Sequence, residues 1–173
     1  MLQLKCTRKL LDFSEVRNAL PPEKVEDTLL GDWHATLLDF LRPGLLVFIN
    51  DKSLYCVIDF ANPREKGADL PMIFRKNLFR GLQENRVPES LMSRIFQNYR
   101  ETIITRTDSR SVLGTLNDIN NHIYSHIEEL VQENERIDLR GLERRLNMVP
   151  HSSVGYKGYR LPREVFKQLL SLS

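Results

Sequence analysis

Cysteine and long apolar runs are scarce in this sequence, and each shortage excludes a class of protein. The 173 residues include only two cysteines, Cys6 and Cys56, which are not in a spacing that pairs metal ligands. We therefore expect reduced cysteines in the core, with neither a disulfide nor a zinc site. No apolar stretch approaches the roughly 20 residues of a membrane-spanning helix, and residues 1–6 lack the apolar segment of a signal peptide. These absences predict a cytoplasmic protein that does not bind a membrane.

A strong excess of charge of one sign is also missing. The formal net charge is +2, and the basic residues that crowd residues 134–173 are interleaved with acidic ones. Nonspecific binding of nucleic acid usually requires a concentrated basic face, so a solvated helix surface is the favoured interpretation and nucleic acid is the alternative. With 41% hydrophobic and 28% charged residues, the chain has the composition of an ordinary globular domain.

The sequence does contain regular strand and helix patterns. Strand patterns occupy residues 1–6, 33–41, 45–49, 54–60 and 100–106, and helical patterns occupy residues 70–85, 88–99, 112–134, 139–147 and 162–170. The continuous apolar run at 45–49 is typical of a strand covered on both faces, and the short connections around it predict an antiparallel meander. We predict one α+β domain over residues 1–173, with a core at 1–134 and a helical extension at 135–173. Its sheet would be mainly antiparallel, with about five strands and helices packed chiefly on one face.

The best candidate for a site is the turn from the last strand into the longest helix, at residues 107–111. The first turn of a helix leaves about four backbone N–H groups unpaired and carries a partial positive charge. Arg106 and Arg110 flank this point, so the turn is suited to phosphate or carboxylate. The alternative is that Asp108 or Ser109 only caps the helix and that an arginine pairs with Asp108.

The same helix contains three further residues that add to this candidate, namely Gly114, Asn117 and Asp118. Glycine inside a helix costs about 1 kcal/mol relative to alanine, so Gly114 indicates close approach of the sheet or of a ligand, with packing against the sheet favoured. Asn117 and Asp118 lie one turn beyond it. They either hydrogen-bond a neighbouring loop or belong to the site.

Trp33 and His34 form a second candidate at the start of a strand. A histidine beside a tryptophan can act as a general base, with Trp33 as an apolar wall that excludes water. The alternative is a core tryptophan whose histidine neighbour faces solvent. No partner for His34 is evident from the sequence, so this second interpretation is favoured.

Metal and cofactor motifs are incomplete. His122 and His126 are spaced to share a helix face, and Glu129 or His151 could add a third ligand, but the His-Glu-x-x-His arrangement is absent. Residues 155–160 combine two glycines with aromatic and basic residues, yet match neither the Walker pattern nor the dinucleotide fingerprint. They could stack on bases or form a surface loop, and the loop is favoured. We predict no metal and no cofactor.

Four blocks of the sequence resemble a single family. These are residues 4–11 (LKCTRKLL), 31–35 (GDWHA), 47–51 (VFIND) and 107–118 (TDSRSVLGTLND). Together they resemble an uncharacterised bacterial family, a domain of unknown function, over roughly residues 1–130. The resemblance implies a compact intracellular domain, and its last block contains the turn at residues 107–111. That family has no assigned activity, so the resemblance implies no catalytic residue and no substrate.

Because no complete catalytic constellation is present, the first functional hypothesis is a non-enzymatic binding or regulatory module for an anionic small molecule or a partner protein. Its surface would include Arg106, Asp108, Arg110, Asn117 and Asp118, with Trp33 and His34 as further candidates. The alternative is an enzyme acting on phosphodiesters or nucleotides, with His34 as general base and the two arginines stabilising charge. A third hypothesis is a nucleic-acid-binding protein that uses the basic C-terminal third. No oligomeric state is predicted.

Overall fold

The computed structural model describes residues 1–16, 19–20, 28–62, 69–107, 110–133, 136–151 and 158–172, with the side chains of 110–112 outside the description. These residues form five strands and six helices. In chain order they are β1 (Leu2–Cys6), α1 (Arg8–Ser14), β2 (Trp33–Leu38), β3 (Leu45–Asn50), β4 (Cys56–Phe60), α2 (Leu70–Glu84), α3 (Glu89–Asn98), β5 (Thr102–Arg106), α4 (Arg110–Gln132), α5 (Leu139–Leu146) and α6 (Pro162–Ser171). All five predicted strands and the five predicted long helices are present.

The strands form one mixed sheet in the order β4-β3-β2-β1-β5. The predicted antiparallel meander is confirmed, because β2 pairs with β3 and β3 with β4 in antiparallel register. However, β1 pairs in parallel with both β2 and β5. The prediction of a mainly antiparallel sheet was therefore wrong. Strand patterns mark where strands lie, whereas the direction of pairing depends on long connections that carry the chain across the sheet.

Helices cover both faces of this sheet, with four of the six described helices on the first face and two on the second. On the first face, Leu46 and Phe48 of β3 lie in a core with α1, α2, α3 and α6. On the second face, Val47 and Ile49 pack with α4 and α5. Successive side chains of a strand point to opposite faces, so the apolar run in β3 needs a cover on each side. The fully buried β3 confirms the interpretation of that run.

The prediction of reduced cysteines in the core is confirmed. Cys6 and Cys56 are both buried and unpaired, one in the core of each face. Asp138 caps α5, since its Oδ1 accepts a hydrogen bond of 3.0 Å from the backbone N–H of Arg140. Among the described helices, none combines the length and the apolar character that crossing a bilayer requires.

The outer edge of β4 is closed by side chains of α5 and its C-terminal flank. Asn147 Oδ1 accepts from the backbone N–H of Cys56 at 2.8 Å, and Asn147 Nδ2 donates to the Cys56 carbonyl at 2.8 Å. Glu143 Oε2 accepts from the N–H of Ile58 at 2.9 Å. An open strand edge is a template for pairing with another chain. These two side chains satisfy groups that a neighbouring strand would otherwise pair.

Candidate functional site

The carboxyl ends of β1 and β5 lie side by side, and the helices that follow them go to opposite faces of the sheet. The two strands pair in parallel, with Cys6 opposite Arg106. From β1 the chain enters α1 on the first face, and from β5 it enters α4 on the second. In open α/β sheets, such a reversal creates a crevice at the carboxyl edge, where ligands commonly bind. The fold therefore directs attention to this edge.

Two pairs of polar side chains lie there on the second face of the sheet. His34 Nδ1 lies 3.2 Å from Thr107 Oγ1, and the Thr7 and Thr36 hydroxyl oxygens are 3.1 Å apart. The backbone N–H of Thr107 donates to the Cys6 carbonyl at 3.0 Å, which holds the end of β5 against β1. His34 is only 3% exposed and Thr107 6%. The structure thus joins His34 to the strand-to-helix turn, although 73 residues separate them in the chain.

Thr105 extends this polar surface. It lies two residues before Thr107 and therefore on the same face of β5, and it stands in register with Lys5, which in turn stands in register with His34. Its hydroxyl is buried, and it has no hydrogen-bond partner among the described residues. A buried polar group without a partner costs about 1–3 kcal/mol. The Thr105 hydroxyl is thus a buried polar group without a described partner.

The residues predicted around the turn are not all brought together. Arg106 is exposed and stands opposite Cys6, whose side chain belongs to the first-face core, so Arg106 projects away from the face that carries His34. Asp108 and the side chain of Arg110 lie outside the described part of the chain, and their roles stay predictions. Asn117 and Asp118 are exposed on α4.

Gly114 has a different environment from the predicted one. It is exposed, and a Cβ placed on it would meet no described atom within 4 Å. The interpretation that Gly114 packs against the sheet was therefore wrong. Position 114 is on the outer side of the helix, whereas Leu116 and Ile119 are buried.

Trp33 belongs to the core and not to the surface around His34. Its side chain is fully buried on the first face, with its ring 5.0 Å from that of Phe74 in an edge-on arrangement. Its Nε1 donates to the Tyr99 hydroxyl at 3.1 Å. Neighbouring residues of a strand face opposite sides, so Trp33 cannot form a wall beside His34. The alternative of a core tryptophan is correct, but His34 is buried and does not face solvent.

The two histidines of α4 have separate neighbours. His126 Nδ1 lies 3.0 Å from a guanidinium nitrogen of Arg145 and 3.6 Å from Glu129. The ring of His122 instead faces that of His151, with 6.0 Å between centroids. Within the described residues, no three histidine, cysteine or acidic side chains are grouped so that they could hold a metal ion. The prediction of no metal stays a prediction.

Comparison with known proteins identifies a family but no activity. The model of a family described as a domain of unknown function, DUF6933, matches residues 3–165. The chain belongs to the DUF6933 family. This confirms the predicted resemblance to an uncharacterised family, and the match extends well past residue 130 into α6. Searches of curated proteins and of solved structures found no match.

This DUF6933 domain also contains an ion cluster that the sequence patterns did not reveal. Lys5 Nζ lies 3.0 Å from Asp32 Oδ2 and 3.8 Å from Asp51 Oδ2. Asp32 Oδ1 also accepts from the backbone N–H of Gln3 at 3.0 Å. Burial raises the pKa of Asp51 to about 6; Lys5 opposes this shift and Asp32 adds to it. One ammonium group is thus shared by two carboxyl groups that lie next to each other.

Replacing Asp51 with asparagine is expected to weaken the pH dependence of stability between about pH 4 and pH 7. The folded-state pKa is above the ordinary value of 3.8, so the stability contributed by protonated Asp51 is complete below that value and lost as the pH rises through about 6. The loss should be about 2 kcal/mol, since each pKa unit corresponds to about 1.4 kcal/mol and the side chain is 26% exposed.

Urea unfolding of both proteins across this pH range measures the effect. Each protein gives a curve of unfolding free energy against pH. The difference between the two curves isolates the contribution of Asp51 from that of the other carboxyl groups. Asp12→Asn is the control, because Asp12 is 71% exposed on α1. If the Asp51→Asn curve runs parallel to that of the unmodified domain, Asp51 does not titrate as described.

Proposed function

We propose that this domain is a binding or regulatory module whose carboxyl edge, at the ends of β1, β2 and β5, binds a small anionic ligand. The observation that carries the proposal is the cluster of His34, Thr107, Thr7 and Thr36 at the point where the chain enters helices on opposite faces. Hydroxyl and imidazole groups donate hydrogen bonds to oxyanions. A crevice of this kind is the usual ligand position in open sheets with parallel strands.

Two further features favour an anion. The 23-residue helix α4 begins three residues after Thr107, and the amino end of a long helix attracts negative charge through its unpaired N–H groups and its dipole. On the same face, the buried Thr105 hydroxyl lacks a partner among the described residues. A ligand oxygen at this edge would give that hydroxyl an acceptor. The ligand would therefore include a phosphate or carboxylate group.

Binding of inorganic phosphate and of adenosine monophosphate, measured by calorimetry and thermal unfolding, tests the proposal. Thr105→Val removes the unpartnered hydroxyl and keeps the shape of the side chain. We expect about tenfold weaker binding of whichever probe binds, or about 1.4 kcal/mol. The variant without ligand should be as stable as the unmodified domain or slightly more stable, because a buried unpaired hydroxyl is removed.

The control is Thr102→Val on the same strand. Thr102 pairs with Leu2, whose side chain lies in the first-face core, so its hydroxyl is on the other side of the sheet. This change should leave binding unaffected. If neither probe binds, or if both valine variants bind equally well, the carboxyl edge is not an anion site.

The enzyme hypothesis has one observation in its favour. His34 Nδ1 and Thr107 Oγ1 are 3.2 Å apart, which is within the range for a general base and a hydroxyl nucleophile. Arg106, however, projects from the opposite face and does not join them. Hydrolysis of bis(p-nitrophenyl) phosphate that Thr107→Val abolishes and Thr102→Val does not would favour the enzyme over the binding module.

A further inference from the structure

A small cavity lies at the opposite edge of the sheet, beside β4. It has a volume of about 230 Å³, and its lining comes from the residue before β4, the end of α2, α5 with its C-terminal flank and the start of α6. The lining residues are Tyr55, Glu84, Asn85, Glu143, Arg144, Asn147 and Arg163. Drug-sized ligands usually occupy pockets of about 300–1,000 Å³. This cavity is thus sized for a smaller molecule.

The wall of the cavity contains a buried carboxylate with one unused oxygen. Glu143 is only 1% exposed. Its Oε2 accepts from the Ile58 N–H at 2.9 Å and from the Arg80 guanidinium at 2.7 Å. Its Oε1 has no hydrogen-bond partner among the described residues. A buried carboxylate oxygen without a donor is unfavourable, and burial raises the pKa of Glu143. A donor in the cavity would therefore stabilise the ionised carboxylate.

A second acceptor lines the same cavity. Asn85 Nδ2 donates to the Gly81 carbonyl at 2.8 Å and to the Tyr55 hydroxyl at 2.9 Å. The Gly81 carbonyl can only accept, which establishes Nδ2 as the end of the amide that faces it. Asn85 Oδ1 is buried and, within the described chain, has no donor. Two residues that line one cavity thus each carry an acceptor without a described donor, which favours an occupant that can donate hydrogen bonds.

Two guanidinium groups complete the lining. Arg144 is exposed on α5, where its guanidinium group lies 4.0 Å from Asp138 Oδ2, and Arg163 is half-buried in the first turn of α6. The backbone N–H of Arg163 donates to the Asn147 carbonyl at 3.1 Å, which fixes the start of α6 next to the C-terminal end of α5. Arginine binds carboxylates through paired, charge-assisted hydrogen bonds. The cavity thus combines acceptors for a cation with donors for an anion.

We propose that this cavity binds a small zwitterion with a primary ammonium group and a carboxylate, of the size of a free amino acid. The ammonium group donates to Glu143 Oε1 and Asn85 Oδ1. The carboxylate binds Arg163 and Arg144. The site lies across the sheet from the carboxyl edge of β1 and β5, so it is independent of the function proposed above.

Nitrogen-proton NMR of the full chain tests the proposal with the twenty standard amino acids as probes. Butylamine and butyrate serve as matched probes that each carry only one of the two charges. We expect at least one amino acid to shift the Asn85 side-chain NH₂ and Ile58 amide signals saturably, and to bind at least about tenfold more tightly than either matched probe. Absence of a saturable shift with every amino acid would overturn the proposal, as would equal binding of butylamine.

Arg163→Gln distinguishes binding of a zwitterion from binding of a simple amine. It removes the carboxylate partner, while its backbone hydrogen bond to Asn147 does not depend on the side chain. We expect amino-acid binding to weaken about tenfold and butylamine binding to stay unchanged. Arg140→Gln is the control, because Arg140 is exposed on α5 and does not line the cavity.

Glu143→Gln should weaken both the amino acid and butylamine, since it removes the charge that faces the ammonium group. Should this variant fail to fold, the comparison of Arg163→Gln with Arg140→Gln still decides the matter. Equal loss of binding in those two variants would mean a general effect of surface charge and would overturn the proposal. Phosphate binding at Thr105 is measured separately, so failure here is distinguishable from failure there.

Discussion

Trp33→Ala is expected to destabilise the domain by about 4–5 kcal/mol, a large part of the 5–15 kcal/mol that is typical of a whole domain. Trp33 is among the largest fully buried side chains, and its ring packs edge-on against Phe74 and Phe166. Truncation to alanine leaves a cavity in a close-packed core and removes the Nε1 donor to Tyr99. Urea unfolding followed by circular dichroism measures the loss.

Tyr99→Phe separates packing from hydrogen bonding. The Tyr99 hydroxyl accepts from Trp33 Nε1 and donates to the Gly31 carbonyl at 2.7 Å, so both partners lose a bond while the ring remains. We expect a loss of about 1–3 kcal/mol, clearly smaller than that of Trp33→Ala. If Trp33→Ala costs less than about 1 kcal/mol, Trp33 is not the core residue described here.

Asn50→Ala is expected to cost about 3–4 kcal/mol, although the side chain is polar. Asn50 is fully buried where β3 turns toward β4. Its Nδ2 donates to the Leu30 carbonyl at 2.7 Å and to the Asp32 carbonyl at 3.3 Å. Its Oδ1 accepts from Ser53 N–H at 2.9 Å and Ser53 Oγ at 2.8 Å. Alanine leaves these groups buried without partners, at about 1–3 kcal/mol for each group that water cannot reach.

Asn98→Ala is the matched control for this change. Asn98 is exposed near the end of α3, and its single side-chain bond runs 3.3 Å to the Arg94 carbonyl one turn earlier. Its replacement should change stability by less than about 0.5 kcal/mol. Native-state hydrogen exchange adds a local measurement, since the Ser53 amide should exchange faster in Asn50→Ala. Similar losses in the two asparagine variants would contradict the role given to Asn50.

The GDWHA block (residues 31–35) is visible as a pattern in the sequence, but the contacts that its residues make are visible only in the structure. Gly31 has φ of +80°, a conformation that favours glycine, and a Cβ there would lie 2.5 Å from Asp51 Oδ1, which would have to shift. Asp32 pairs with Lys5, Trp33 enters the first-face core, and His34 meets Thr107 on the second face. Each of these partners is distant in the chain. The four adjacent residues 31–34 therefore lie in four different environments.

Periodicity along the chain was enough to predict the strands, the helices and the double-sided cover of β3. Such features depend on where consecutive side chains point, which is set by the local geometry of strand or helix. The turns around β3 follow from local chemistry in the same way. These parts of the fold are properties of short segments.

Only the tertiary structure decided three other features. These are the parallel pairing of β1 with β2 and β5, the separation of the helices between two faces, and the contact of His34 with Thr107. Each depends on segments that are far apart in the chain and meet only when the sheet assembles. The same is true of Glu143, whose partners come from α2 and β4 and whose unused oxygen has no signature in the sequence. Local geometry determines which face a side chain takes, and the topology of the sheet determines what it meets there.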